Sequence, residues 1–248
     1  RTVGNGVHTL GRETMLAPVR WDEGAWPVVN ANGTVDTLMH AATLPAVPVR
    51  AEATETDFRK ADALGFEWVF LCNPHTENYV LTRRGLTLKA TPTGLDDEGS
   101  PTWTGRRQRS HDAVCTTTMQ LLPGAAAGTR AGMTVYMERG SHYDIFVEML
   151  PDGKEQAVCE LRLNAITHRF DAVPVKAGKW LDLRVECDDD MYTFSLSSDG
   201  GRTWTPMGRA NARYLATETA GGFTGMTIGL FAVGLDGGEA TFRSFTMK

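Results

Sequence analysis

Apolar and polar residues alternate with a period of two through most of the second half of the chain. From Trp180 to Cys187, Leu181, Leu183, Val185 and Cys187 fall on one side while Asp182, Arg184 and Glu186 fall on the other. That is the pattern of an antiparallel strand with one buried and one wet face. It recurs in Cys159-Leu161-Leu163 against Glu160-Arg162-Asn164, in Tyr192-Phe194-Leu196, across Met133 to Met137, and in Phe242 to Phe245 with a local irregularity. Pro151-Asp152-Gly153, Lys176-Ala177-Gly178, Asp199-Gly200-Gly201 and Asp236-Gly237-Gly238 supply turns between such runs, which predicts a layout dominated by hairpins. The best helix candidate, Thr56 to Leu64, reads as a turn or a single helical segment. From about Phe66 onward the pattern predicts an all-β fold of two packed antiparallel sheets, because a sandwich buries the inner faces of these strands. Residues 36–60 differ in kind. The prolines of Leu44-Pro45-Ala46-Val47-Pro48-Val49 cannot feed a central ladder, and Ala51 to Thr56 is small and polar, so the segment reads as a docked linker.

Length and composition narrow the function classes. A chain of 248 residues with 42% hydrophobic residues holds a sizeable core and is not disordered. A net charge of −5 with interspersed signs offers no basic face for nucleic acid, and the Arg83-Arg84 and Arg106-Arg107 pairs do not change that. No apolar run reaches the roughly 18 residues of a membrane helix, and the opening lacks a signal-peptide layout. The expected chain is soluble, cytoplasmic rather than secreted, with no membrane partner. Arg1 in place of Met reads as a processing site or an artificial boundary. Cys72, Cys115, Cys159 and Cys187 lie far apart without a C-x-x-C pair, so they read as buried small hydrophobes rather than metal ligands or a disulfide framework.

Near the start stand Leu10-Gly11-Arg12-Glu13-Thr14, Ala17-Pro18-Val19, Trp21-Asp22 and Trp26-Pro27. Downstream come Leu64-Gly65-Phe66-Glu67-Trp68, Asn73-Pro74, Asn78-Tyr79-Val80-Leu81, Ser100-Pro101-Thr102, Gly105-Arg106-Arg107-Gln108, Ala131 to Tyr136 with His142-Tyr143, and Phe223-Thr224-Gly225 with Ile228 to Ala232. In order and spacing these pieces resemble the C-terminal part of glycoside hydrolase family 43, the β-xylosidases and α-L-arabinofuranosidases. The resemblance implies the end of a five-bladed catalytic β-propeller at 1–35, the docked linker at 36–60, and a concanavalin A-like jelly-roll β-sandwich at 61–248. It also implies that the catalytic Asp, Asp and Glu of an inverting hydrolase lie on blades upstream of this sequence. Asp22-Glu23, Asp96-Asp97-Glu98 and Asp188-Asp189-Asp190 are adjacent runs beside turns and read as solvated loops, not as replacements. On this reading the chain alone is inert as a glycosidase.

Two residues are the candidate substrate contacts. The resemblance places Arg12 at the substrate pocket, where a guanidinium holds sugar hydroxyls or a catalytic carboxylate; the alternative is an Arg that braces the propeller through Glu13. Aligning on Gly105 to Gln108 places His111, flanked by Ser110 and Asp112, where the family's pocket-rim Phe stands. A His there stacks on or bonds a sugar, or is a solvated loop residue. His8 and Trp26 read as packing residues of the blade, Trp103 and Arg107 as structural. Ser197-Ser198-Asp199-Gly200-Gly201-Arg202-Thr203-Trp204 fits the Asp-box pattern, with Asp199 bonding turn amides and Trp204 folding into the core. No cofactor is required. The metal set is unknown, and Asp188 to Asp190 offer oxygens that suit Ca²⁺ without EF-hand spacing.

Three functions fit. The first is the accessory part of a family 43 glycosidase acting on xylan- or arabinan-derived oligosaccharides, with its propeller supplied in cis or in trans; it predicts a large exposed apolar face on the sandwich. The second is an independent carbohydrate-binding module, which needs a row of exposed aromatics; Tyr136, Tyr143 and Phe146 are candidates, although alternation sends at least some of them inward. The third is a noncatalytic adhesion or assembly domain, a homo-oligomer without sugar affinity.

Overall fold

The computed structural model describes residues 6–248 except 32, 37, 42, 49–53 and 189. The chain forms two compact units, residues 1–11 with 54–248, and residues 12–53. The smaller unit holds one two-residue pairing, β1 (Val19–Arg20) with β2 (Val28–Val29). None of its described residues is buried. A stretch this short cannot enclose a core of its own.

The larger unit is built from β3 (Glu55–Asp57), β4 (Val69–Phe70), β5 (Tyr79–Thr82), β6 (Gly85–Lys89), β7 (Thr102–Arg107), β8 (Ala113–Leu121), β9 (Arg130–Glu138) and β10 (Ser141–Met149). There follow β11 (Glu155–Leu163), β12 (Ile166–Val175), β13 (Leu181–Cys187), β14 (Met191–Ser197), β15 (Thr205–Asn211), β16 (Thr227–Val233) and β17 (Glu239–Met247). One sheet has seven strands in the order β12-β11-β10-β9-β16-β7-β4; the other has eight, β15-β14-β13-β8-β17-β6-β5 with β3 added on β17. Every ladder between these strands is antiparallel. The turns at 151–153 and 199–201 close hairpins within a sheet, whereas those at 176–178 and 236–238 carry the chain from one sheet to the other.

The alternation read in β13 holds: Leu181, Leu183, Val185 and Cys187 are buried and the residues between them are not. Their side chains join Tyr192, Phe194, Met133, Val135, Ile145, Phe242 and Phe245 in the core between the sheets. The seven-stranded sheet departs from a single wet face. Trp103, Phe146, Val158 and Phe231, on its other face, form a second buried cluster with Leu95 from the loop before β7. Ser141 to Glu148 is consequently buried without interruption, and no alternation in exposure survives there.

The Thr56–Leu64 segment is no helix. Its first residues belong to β3, and Asp57 then accepts the Arg59 amide to start a turn that sends Phe58 into the core. The sheet therefore gains residues 55–57, ahead of the expected start at 61. Cys115, Cys159 and Cys187 are buried thiols as read, but Cys72 is exposed with φ 53°, a turn position rather than a core one. All four are free. The Asp box forms its turn: Asp199 accepts from the Ser197 hydroxyl, the Arg202 and Thr203 amides and the Thr203 hydroxyl, so its carboxyl sits well below the usual range. Trp204 does not enter the core. It is half-buried, with the Arg184 guanidinium 4.2 Å from its ring centre.

Candidate functional site

The short stretch before Arg12 is bound into the sandwich unit, and it organises the surroundings of His111. Val7, Thr9 and Gly11 are buried. The Thr217 amide donates to the His8 carbonyl at 3.0 Å and the Met226 amide to the Thr9 carbonyl at 3.0 Å. His8 donates its amide to Glu218 at 2.9 Å and pairs through its ring with the same carboxylate, which is pulled down to about 2 by those bonds. Gly11 and Gly225 pass each other so closely that a Cβ on Gly11 would lie 2.5 Å from the Gly225 nitrogen. Both have φ of 77°, which a side chain disfavours. His8 is thus a tie to the sandwich rather than a blade-packing residue.

His111 lies between β7 and β8 and is half-buried, not a solvated loop residue. Its Nδ1 is 3.2 Å from the Thr9 hydroxyl. Its Nε2 is buried without a hydrogen-bond partner among the described residues. Thr9 thus holds one ring nitrogen, and the other points into protein rather than solvent. The strand leading to it is fixed from behind. Gln108 donates from Nε2 to the Ser110 carbonyl at 2.8 Å and accepts the Tyr192 hydroxyl at 2.6 Å, while Arg107 bonds the Thr224 carbonyl. Trp103 is fully buried, and it and Arg107 are structural as read.

Next to His111, Asp112 opens a cleft of about 660 Å³ that it lines with Asp188, Asp190, Arg209, Asn211 and Arg213. The tip between β13 and β14 is a charged turn: Asp188 accepts the Asp190 amide at 3.0 Å and the Met191 amide at 2.7 Å through the same oxygen. Asp189 lies outside the described residues. Among the described residues no group of three or more His, Cys, Asp or Glu is placed to hold a metal ion. Arg12 opens the smaller unit and is exposed, so the two sequence-predicted contacts fall in separate units. Trp26, expected to pack in a blade, is 90% exposed.

Two features escaped the sequence. Thr9, the partner of His111, carries no motif, and only the pairing of segment 6–11 with 224–226 brings it there. Asp96 is exposed, as a solvated run implies, yet it also pairs with the buried His142. His142 bonds Asp144 at 2.8 Å and Asp96 at 3.2 Å, and Arg162 stands 3.1 Å from the same Asp96 oxygen. Burial pulls the His142 pKa down, but the two carboxylates outweigh it and push it up to about 10. The module reading fares poorly on this geometry: Tyr143 and Phe146 are buried, and Tyr136 is half-buried, stacked on His142 and packed beside Trp103.

The profile of the family described as the beta xylosidase C-terminal concanavalin A-like domain matches residues 55–248. The chain belongs to this family. It is 29% identical over 236 residues to a non-reducing end α-L-arabinofuranosidase of Bacteroides ovatus, which covers 94% of this chain and 44% of that protein. It is 27% identical to a xylosidase/arabinosidase of Butyrivibrio fibrisolvens, over 92% of this chain and 44% of the relative. Among solved structures, the Bacteroides ovatus xyloglucan-locus GH43B protein superposes with a TM-score of 0.89 at 28% identity, over 100% of this chain and 49% of the other. The GH43 protein BlXynB of Bacillus licheniformis gives 0.87 at 25%, again over 100% and 49%. This accessory domain and its adjoining segment thus span about half the length of the relatives they match. No described helix is long and apolar enough to cross a membrane.

Proposed function

We propose that the chain works as the accessory half of a glycosidase on xylan- or arabinan-derived oligosaccharides, completing a catalytic propeller supplied in cis or in trans. The observation that carries this reading is the smaller unit. Residues 12–53 bury nothing among those described, yet they present Trp21, Trp26, Leu38, Leu44 and Val47 to solvent, with Leu38 86% exposed. Apolar surface of that density marks a face that belongs against a partner. On the sandwich the exposed apolar residues Phe66, Val80, Val114, Ile166, Tyr214, Phe223 and Leu235 are spread over separate elements. The partner-seeking surface lies in the segment that resembles a propeller blade.

In this arrangement Arg12 supplies a guanidinium fork to sugar hydroxyls or a catalytic carboxylate, and the half-buried His111 ring, held by Thr9, stands at the pocket rim. In this reading the general acid and base come from the partner body. Native mass spectrometry of the purified material, followed by assays on aryl xylosides and arabinosides, tests the proposal. A 27.1 kDa chain alone should be inert, and addition of the propeller half of a relative should give a stable complex that hydrolyses the glycoside. In that complex His111→Ala should raise KM more than it lowers kcat. Hydrolysis by the lone chain, or no complex with any propeller half, would overturn the proposal.

A further inference from the structure

The outer face of the eight-stranded sheet carries two guanidinium-on-indole stacks, and they differ in one respect. Arg184 lies over Trp204 and also has polar partners: Nε bonds the Ser195 hydroxyl at 3.1 Å and Nη2 pairs with Glu186 at 2.9 Å. Arg243 lies closer over its ring, 3.6 Å from the centre of Trp180, and its side chain makes no hydrogen bond or ion pair among the described residues. Both Arg243 and Trp180 are half-buried. A partly desolvated guanidinium that keeps its donors unused is a binding group without its anion.

The fold places more positive charge beside it. The register of β17 on β8 shifts between Phe242 and Ser244, so Arg243 is the extra residue of a bulge and stands clear of the ladder. The β5–β6 hairpin closes against this point: Gly85, at φ 135°, comes so near that a Cβ would lie 2.1 Å from the Phe242 carbonyl oxygen. That fixes the exposed Arg84 next to Arg243, and Arg84 likewise has no ion pair among the described residues. On the other side the Phe58 amide donates to the Arg243 carbonyl at 2.9 Å, which brings Arg59 alongside. Arg59 is already neutralised by Asp57, at 2.8 and 3.0 Å. Burial, and then the charges of Arg59 and Arg84, lower the Arg243 pKa, and the nearby Asp182 carboxylate, which accepts the Thr118 hydroxyl at 2.6 Å, offsets them only in part. In a chain of net charge −5, Arg243 and Arg84 thus stand side by side without an ion pair among the described residues.

We propose that Arg243, Arg84 and the Trp180 indole form a binding site for a uronate, the carboxylate-bearing sugar of an acidic glycan. The two guanidinium groups take the carboxylate, and the indole offers its remaining apolar surface to the C–H face of the pyranose. The overall acidity of the chain works against a nucleic-acid or other polyanionic partner, whereas a single carboxylate on a neutral glycan meets only the local patch. The choice of a sugar as ligand rests on the glycosidase reading above; the unpaired cations do not.

Isothermal titration of the 248-residue chain at low ionic strength tests this with three probes: a xylo-oligosaccharide bearing one glucuronosyl branch, the same backbone unbranched, and inorganic phosphate. The branched probe should bind about tenfold more tightly than the unbranched one. Arg243→Gln and Arg84→Gln should each remove most of that difference, Trp180→Ala should weaken binding, and added salt should erode it. Arg84 is on an exposed turn, so its variant remains informative should Arg243→Gln unfold the sheet. Equal affinity for the two oligosaccharides, or binding indifferent to both Arg substitutions, would overturn the proposal. So would phosphate binding as tightly as the branched probe, which would show an anion patch that does not read sugar. None of these results bears on complex formation with a propeller half, so failure here is distinct from failure of the accessory-half reading.

Discussion

The ion network around His142 gives the most demanding prediction. The imidazole sits between Asp144 on β10 and Asp96 from the loop before β7, with Arg162 on β11 sharing the Asp96 oxygen and Tyr136 on β9 stacked against the ring. Its folded pKa, about 10, lies above the ordinary 6.5, so the folded chain keeps a proton that the unfolded chain releases above pH 6.5. With more protons bound in the folded than in the unfolded state, stability falls as pH rises. Its contribution is fully present below about pH 6.5 and is lost progressively up to about 10. The window from about pH 6.5 to 8.5 is the useful one, because the buried Cys115 and Cys187 thiols, pushed up by burial to about 12 and 11, add their own losses only above the normal thiol range. Two pH units at about 1.4 kcal/mol each, less the curvature near the first pKa, amount to about 2 kcal/mol. Urea unfolding of the native chain and of His142→Gln across this window checks it, since the other histidines contribute equally to both. The native chain should lose about 2 kcal/mol more than the variant. Parallel profiles would show that His142 does not hold a proton among these carboxylates, and the reasoning would fail.

Gly225→Ala should destabilise by about 2 kcal/mol or more, because its Cβ would lie 2.4 Å from the Leu10 carbonyl group at a backbone φ of 77°; denaturant midpoints measure it. Phe58→Ala, at a side chain with no exposed surface, should cost about 3–5 kcal/mol in the same assay if residues 54–60 are part of the sandwich core and not a docked linker. Tyr192→Phe should cost about 1–2 kcal/mol by leaving the buried Gln108 oxygen without its 2.6 Å hydroxyl donor.

Much of the fold was legible because a half-buried strand must alternate. Leu181 to Cys187 announces its inner face in the order of its residues, and the Asp box announces its turn because every bond Asp199 makes is within five positions. Ser141 to Met149 was less legible: Leu95, far away in sequence, seals the outer face of that sheet and erases the alternation in exposure. At Thr56 to Leu64 the turn was legible but the strand before it was not, since only the distant β17 gives residues 55–57 a ladder to join.

The candidate site divides in the same way. Residue order alone singled out Arg12 and His111 through the pieces that resemble family 43, and it identified the accessory domain. What His111 bonds to, which of its nitrogens is buried without a partner, and that Asp96 pairs with the buried His142 were decided by contacts between segments of great sequence separation. The same holds for Arg243, an unremarkable basic residue until a bulge and a glycine approach set it on Trp180 beside Arg84. Periodicity and turn chemistry are local and are written residue by residue. Charge pairing, desolvation and the choice of partner depend on what lies a few ångströms away in space, which the chain fixes only when its two sheets close on each other.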